Sequence, residues 1–124
     1  MTRLFLLAIG LMFVGFGLWS LLYPLQMTAN LGVEIGGPNG TFEIRGVFGG
    51  ISLGAAVLCL AGTAQDKMVR PALWFLITYM GGYCFARAAS AALGDLPEPS
   101  TWAFVAFEAV TLIIAIWALW KTSE

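Results

Sequence analysis

Histidine is absent from these 124 residues, and charged side chains make up only 10% of them. Without imidazole the chain lacks both the side chain that titrates near neutral pH and the commonest metal ligand. No Gly-rich phosphate loop of recognised form takes its place. No catalytic residue, metal site or cofactor is therefore expected. Cys59 and Cys84, the two cysteines present, fall at different depths of their segments. Neither a disulfide nor a shared metal is expected between them within one chain, and each reads as a small packing residue. Six basic residues against seven acidic ones give no electrostatic reason for nucleic acid as a partner.

What fills the space left by charge is apolar. The chain is 60% hydrophobic, with a mean hydropathy of +0.87, more than one water-soluble globule can bury. Lipid is the expected solvent. Crossing a hydrocarbon core takes about 20 mostly apolar residues, and four stretches qualify, roughly 4–22, 42–62, 71–93 and 101–120. The fold class read from them is all-α, a single membrane domain over 1–124 built as an integral membrane four-helix bundle. Between the stretches lie turn residues, among them Gly36-Gly37-Pro38-Asn39-Gly40, Asp66-Lys67 and Gly94-Asp95-Leu96-Pro97. Thr41 and Pro71 suit helix starts. The first run exceeds the ~7–15 apolar residues of a secretion signal, and Leu21-Leu22-Tyr23-Pro24 lacks a small-x-small cleavage pattern, so it reads as a retained helix.

Short cytoplasmic segments keep an excess of lysine and arginine. Arg3, Lys67, Arg70 and Lys121 share one side of the four spans, whereas the opposite loops carry Glu34, Asp95 and Glu98. Both termini are therefore expected in the cytoplasm. Trp19, Tyr23 and Trp102 near one interface, with Trp74, Trp117 and Trp120 near the other, fit an anchoring belt. The connection 23–41 is too apolar to float in water and reads as an outer interfacial loop, either a lid or plain surface packing. Asn39-Gly40-Thr41 within it fits a glycosylation acceptor, a tripeptide common by chance.

Four charges interrupt the apolar spans: Glu43 and Arg45 in the second, Arg87 in the third and Glu108 in the fourth. Each costs about 2.5–3.5 kcal/mol at a bilayer centre, less nearer the interface. Helical rise puts Arg87 ~9 Å and Glu108 ~10 Å from the outer ends of their spans, and Glu43 and Arg45 open theirs. All four belong to one outer layer of zero formal charge, in which Arg87 with Glu108 is the preferred pair because guanidinium and carboxylate match in two parallel hydrogen bonds. Glu43 also has a simpler reading as a helix-terminus carboxylate. Tyr83, Cys84 and Ser90 share a face with Arg87, and Thr111 shares one with Glu108, so these four are candidate lining for a polar pocket. Gly46, Gly50 and Gly54 at four-residue spacing, like Gly82, Ala86 and Ser90, allow close helix packing or a homo-oligomer seam. Ser20, Thr78 and Tyr79 read as isolated groups bonded to backbone carbonyls.

The run Glu43-Ile44-Arg45-Gly46-Val47-Phe48-Gly49-Gly50, with Arg87 and Glu108 further along, resembles the bacterial membrane proteins of domain-of-unknown-function family 4345, over most of the chain. That resemblance implies a four-helix membrane fold in a bacterial inner membrane and no particular activity. From the residues themselves, the leading function is a non-catalytic binding or accessory protein whose ion cluster holds a lipid headgroup, an amphiphile or a membrane-protein partner. Purely structural docking of helices is the bland competitor. A proton-coupled transporter using Glu108 is the runner-up, against which the apolar inner half argues, and a lipid-modifying enzyme using Glu43 or Glu108 comes third.

Overall fold

The computed structural model describes residues 1–122. Among the described residues the chain is all-α, without a strand, and runs through five helices. They are α1 (Thr2–Leu22), α2 (Pro24–Leu31), α3 (Pro38–Ala64), α4 (Val69–Ala92) and α5 (Trp102–Thr122). Three segments are long and apolar enough to cross a membrane: α1, α3, and Pro99–Thr122, which contains α5. Their exposed residues include Leu4, Leu11, Val57, Ile113 and Trp120, a surface suited to lipid rather than water. α4 begins two residues before the expected 71–93 stretch, ends one residue short of it and is 24 residues long. Thr78, Tyr79, Tyr83, Arg87 and Ser90 dilute it, so three helices rather than four reach that apolarity.

Proline explains the first break. Pro24 has no N–H to continue α1 and instead begins α2, a position where that donor is not needed. The stretch 23–41 is thus not an irregular loop, since α2 occupies Pro24–Leu31 and buries Pro24, Met27 and Thr28. Gly32 closes α2 in the left-handed region at φ 74°, a conformation glycine adopts without a Cβ penalty. α3 begins at Pro38, about a turn earlier than 42, so Thr41 lies inside it and not at its start. Within α3, Arg45–Gly50 winds as a π-helix, a form that concentrates at functional or strained places.

Two compact units make up the chain, Met1–Val69 and Arg70–Glu124. In the first, α1 and α3 run antiparallel. Arg3 donates to the Thr63 carbonyl at 3.3 Å and pairs with Asp66 at one end. At the other end, Arg45 Nε donates to the Leu21 carbonyl at 2.9 Å. Between these ends the backbones meet through small residues. A Cβ built on Gly10 lies 3.3 Å from that of Cys59, one on Gly17 lies 3.2 Å from the Gly49 carbonyl oxygen, and one on Gly49 lies 3.3 Å from the Leu21 nitrogen. The α1–α3 contact therefore does not run along Gly46, Gly50 and Gly54. Cβ atoms on Gly46 and Gly54 meet nothing within 4 Å, and one on Gly50 only its own helix's Arg45 oxygen. The buried face of α3 is instead Gly49, Ser52, Ala55, Ala56, Cys59 and Gly62.

The bond from Arg45 satisfies one of the carbonyls that the last turn of α1 leaves without a helical partner. Arg45→Met removes that donor while keeping much of the aliphatic stem. We expect a loss of about 1 kcal/mol, typical of one hydrogen bond, measured by denaturant titration in detergent micelles. An unchanged midpoint would show that water or detergent replaces the guanidinium at no cost.

In the second unit α4 and α5 form an antiparallel hairpin. Arg70 Nη1 donates to Thr122 Oγ1 at 3.4 Å, a Cβ on Gly81 comes within 3.9 Å of Leu112, and Arg87 meets Glu108. The connection after α4 is tied back to it. The Asp95 N–H donates to the Ser90 carbonyl at 2.9 Å and the Ser90 hydroxyl to the Asp95 carbonyl at 3.0 Å. Gly94 supplies the turn between them at φ 93°.

Candidate functional site

Residues four apart in a helix lie on one face, and α4 repeats aromatic groups at that interval up to a charge. Phe75 stacks on Tyr79 with ring centroids 5.2 Å apart. Tyr79 meets Tyr83 edge-on at 5.1 Å, with the two hydroxyls 3.4 Å apart. One turn further, the Arg87 guanidinium carbon stands 5.3 Å from the centre of the Tyr83 ring, within cation–π range. The ladder Phe75, Tyr79, Tyr83, Arg87 orders a long, flexible side chain against a rigid aromatic column.

At its end, Arg87 reaches across to α5. Nε donates to Glu108 Oε1 at 3.1 Å and Nη2 to Oε2 at 3.0 Å, the forked geometry in which arginine holds a carboxylate most strongly. Glu108 is buried at 8% exposure, and Thr111 beside it is buried as well. Arg87 is not buried to the same degree, since its side chain keeps 39% of its accessible surface. Two of the five guanidinium N–H donors are taken by Glu108, and three remain.

Arg87 also borders a cleft of about 430 Å³ at the end of the α4–α5 hairpin. Ser90, Asp95, Thr101 and Trp102 give it polar and aromatic walls, and Leu96 and Val105 apolar ones. This cleft brings a charged group, open volume and apolar lining together within the second unit. The arrangement can accept an anionic oxygen at Arg87 while a hydrocarbon portion lies along the apolar wall.

Of the four charges expected in one layer, Arg87 and Glu108 stand paired within the second unit. Glu43 and Arg45 belong to the first unit, where Arg45 bonds to Leu21 and Glu43 is exposed, without a hydrogen bond or ion pair among the described residues. Of the expected lining, Tyr83 lies under the guanidinium, Ser90 lines the cleft, Thr111 is buried beside Glu108, and Cys84 is half-buried and free, outside the cleft wall. Ser20 and Thr78 bond to backbone carbonyls of their own helices, as expected. Tyr79 is not isolated, because the ring above and the ring below it make it the middle of the ladder. The four-residue recurrence 75, 79, 83, 87 was the signal for it. Asp95 and Trp102 gave no such signal, since turn and interface residues look alike whether or not a cleft opens beside them.

The model of the family described as Domain of unknown function (DUF4345) matches residues 1–119. No curated protein and no solved structure matches the chain.

Proposed function

The chain belongs to the DUF4345 family, and on that premise we propose that it is a small membrane-resident binding protein that holds the headgroup of a lipid or similar amphiphile at the Arg87–Glu108 pair. It crosses a bacterial inner membrane four times, on α1, α3, α4 and α5, with both termini in the cytoplasm. The three apolar helices support the membrane setting. α4 follows from its own ion pair, because Glu108 cancels the charge that makes the helix expensive in lipid. The basic ends support the orientation: Arg3 lies beside Thr63 and Asp66 in one unit, and Arg70 beside Thr122 in the other.

One observation carries the binding reading. Arg87 is oriented by two bonds to a buried carboxylate, yet it keeps donors and exposed surface beside a cleft. A pair that serves only to dock helices is most stable with every donor satisfied and dry. This one is satisfied on the Glu108 side alone. The same geometry commits both Glu108 oxygens to Arg87, an arrangement suited to holding a guanidinium rather than to carrying protons.

The test is native mass spectrometry of the protein released from native membranes in mild detergent. Wild type is expected to carry a bound amphiphile that Arg87→Ala loses while remaining folded by circular dichroism. Identical spectra without adducts for both proteins would overturn the reading.

A further inference from the structure

We propose that the cleft selects a zwitterionic phospholipid headgroup, its phosphate on Arg87 and its N–H-bearing ammonium on Asp95; this rests on the binding reading above and deepens it. The reason lies in the charges that line the cleft. Arg87 and Asp95 border the same volume of about 430 Å³. Arg87 is already neutralised by Glu108, and what it still offers is N–H donors rather than net charge. Asp95 has no such partner. Its backbone is fixed to Ser90 through both its N–H and its carbonyl, while its carboxylate makes no ion pair or hydrogen bond among the described residues.

A purely anionic headgroup gains the arginine donors but meets an uncompensated carboxylate in the same cleft. A purely cationic one gains Asp95 and leaves the donors unused. A headgroup with a phosphate at one end and an ammonium at the other answers both. Trp102, half exposed on the cleft wall, adds an aromatic face that favours a cation next to it. The acyl chains then lie along the apolar side, by Leu96 and Val105.

The experiment uses the full chain in nanodiscs of equal parts phosphatidylethanolamine and phosphatidylglycerol with matched acyl chains, transferred to the gas phase for native mass spectrometry. Wild type is expected to retain phosphatidylethanolamine about three- to fivefold over phosphatidylglycerol, the discrimination one accessible ion pair provides. Asp95→Asn is expected to bring that ratio to one without losing bound lipid, and Arg87→Ala to lose both lipids. A phosphatidylcholine arm tests the N–H requirement, since a quaternary ammonium keeps its charge beside Asp95 and Trp102 but donates no hydrogen bond, and is expected between the phosphatidylglycerol and phosphatidylethanolamine levels. A wild-type ratio of one, a preference for phosphatidylglycerol, phosphatidylcholine held as well as phosphatidylethanolamine, or a preference that survives in Asp95→Asn overturns the headgroup assignment. Lipid retention that still depends on Arg87 would then leave the binding reading standing. Absence of any retained lipid on wild type sinks both.

Discussion

Replacing either member of the Arg87–Glu108 pair by leucine is expected to destabilise the protein by about 2 kcal/mol, and replacing both to return most of that loss. Removing one partner from a fully buried ion pair costs about 3–5 kcal/mol, because the other charge is stranded. Here Glu108 is the stranded group when Arg87 is lost, and it is buried. The arginine keeps 39% of its side-chain surface accessible, so it recovers some solvation when Glu108 is lost, and its removal opens Glu108 toward the cleft, so both costs fall below that range. The double variant strands nothing and places two leucines in an apolar hairpin, a change that is often close to neutral. With single losses near 2 kcal/mol and a double loss near 1 kcal/mol, the coupling is about 3 kcal/mol, at the upper end for residues in direct contact. Chemical unfolding in detergent of the four proteins closes the cycle. Additive losses would show that the pair is not coupled in the membrane protein. The double variant also divides the two roles of the pair: a protein restored in stability and devoid of bound amphiphile assigns it to the ligand, and one restored in both assigns it to helix docking.

Gly17→Val is expected to be at least as damaging, and Gly54→Ala to be harmless. Even the first carbon added at Gly17 stands 2.9 Å from Leu53 Cγ and Cδ2 and 3.2 Å from the Gly49 carbonyl oxygen. The leucine can shift, whereas the carbonyl belongs to the backbone of α3 and cannot move without parting the helices. Overpacking of this kind costs about 1–3 kcal/mol, and the two further methyl groups of valine push it to the top of that range. Gly49→Ala, at 3.3 Å from a backbone nitrogen, belongs in the same class with a smaller loss. At Gly54 an added carbon meets nothing within 4 Å, so the helix only gains from a residue less costly to order, by roughly 0.5–1 kcal/mol. Thermal unfolding followed by circular dichroism ranks the three. A destabilised Gly54→Ala would mean that a surface not covered within the chain is covered by another molecule.

These two sites also mark where the sequence was readable. The membrane helices were visible because hydrocarbon demands long apolar runs, and the Arg87–Glu108 pair because a charge in such a run has few affordable partners. The seam between α1 and α3 was hidden for a physical reason. α3 carries no charge beyond Arg45, so no charged face points away from the core along most of its length, and the spacing of Gly46, Gly50 and Gly54 marks a stripe without saying what faces it. The contact falls on Gly49, Cys59 and their neighbours, met by Gly10 and Gly17 of α1, whose role the α3 pattern could not reveal. α2 was hidden in 23–41 because eight residues are too few to show a period against an apolar background. Of the polar residues that make α4 the least membrane-like of the long helices, Tyr79, Tyr83 and Arg87 build its ladder. The cleft was illegible because it depends on how one turn, fixed by Ser90 and Asp95, folds back against Arg87.

The wide turns of Arg45–Gly50 give α3 a property that an unbroken α-helix lacks. With hydrogen bonds reaching one residue further than in an α-helix, this stretch holds more residues per turn than 3.6. It works as a swivel between two azimuths. Below it, Leu53, Cys59 and Leu60 keep a register against Gly17 and Gly10; its first residue, Arg45, and Glu43 before it follow a register of their own. Excising one residue from the swivel leaves the lower contacts in place and turns the charged head by about 100°, which swings Arg45 away from the end of α1. The length of the motif, as much as its composition, therefore sets where those two charges point.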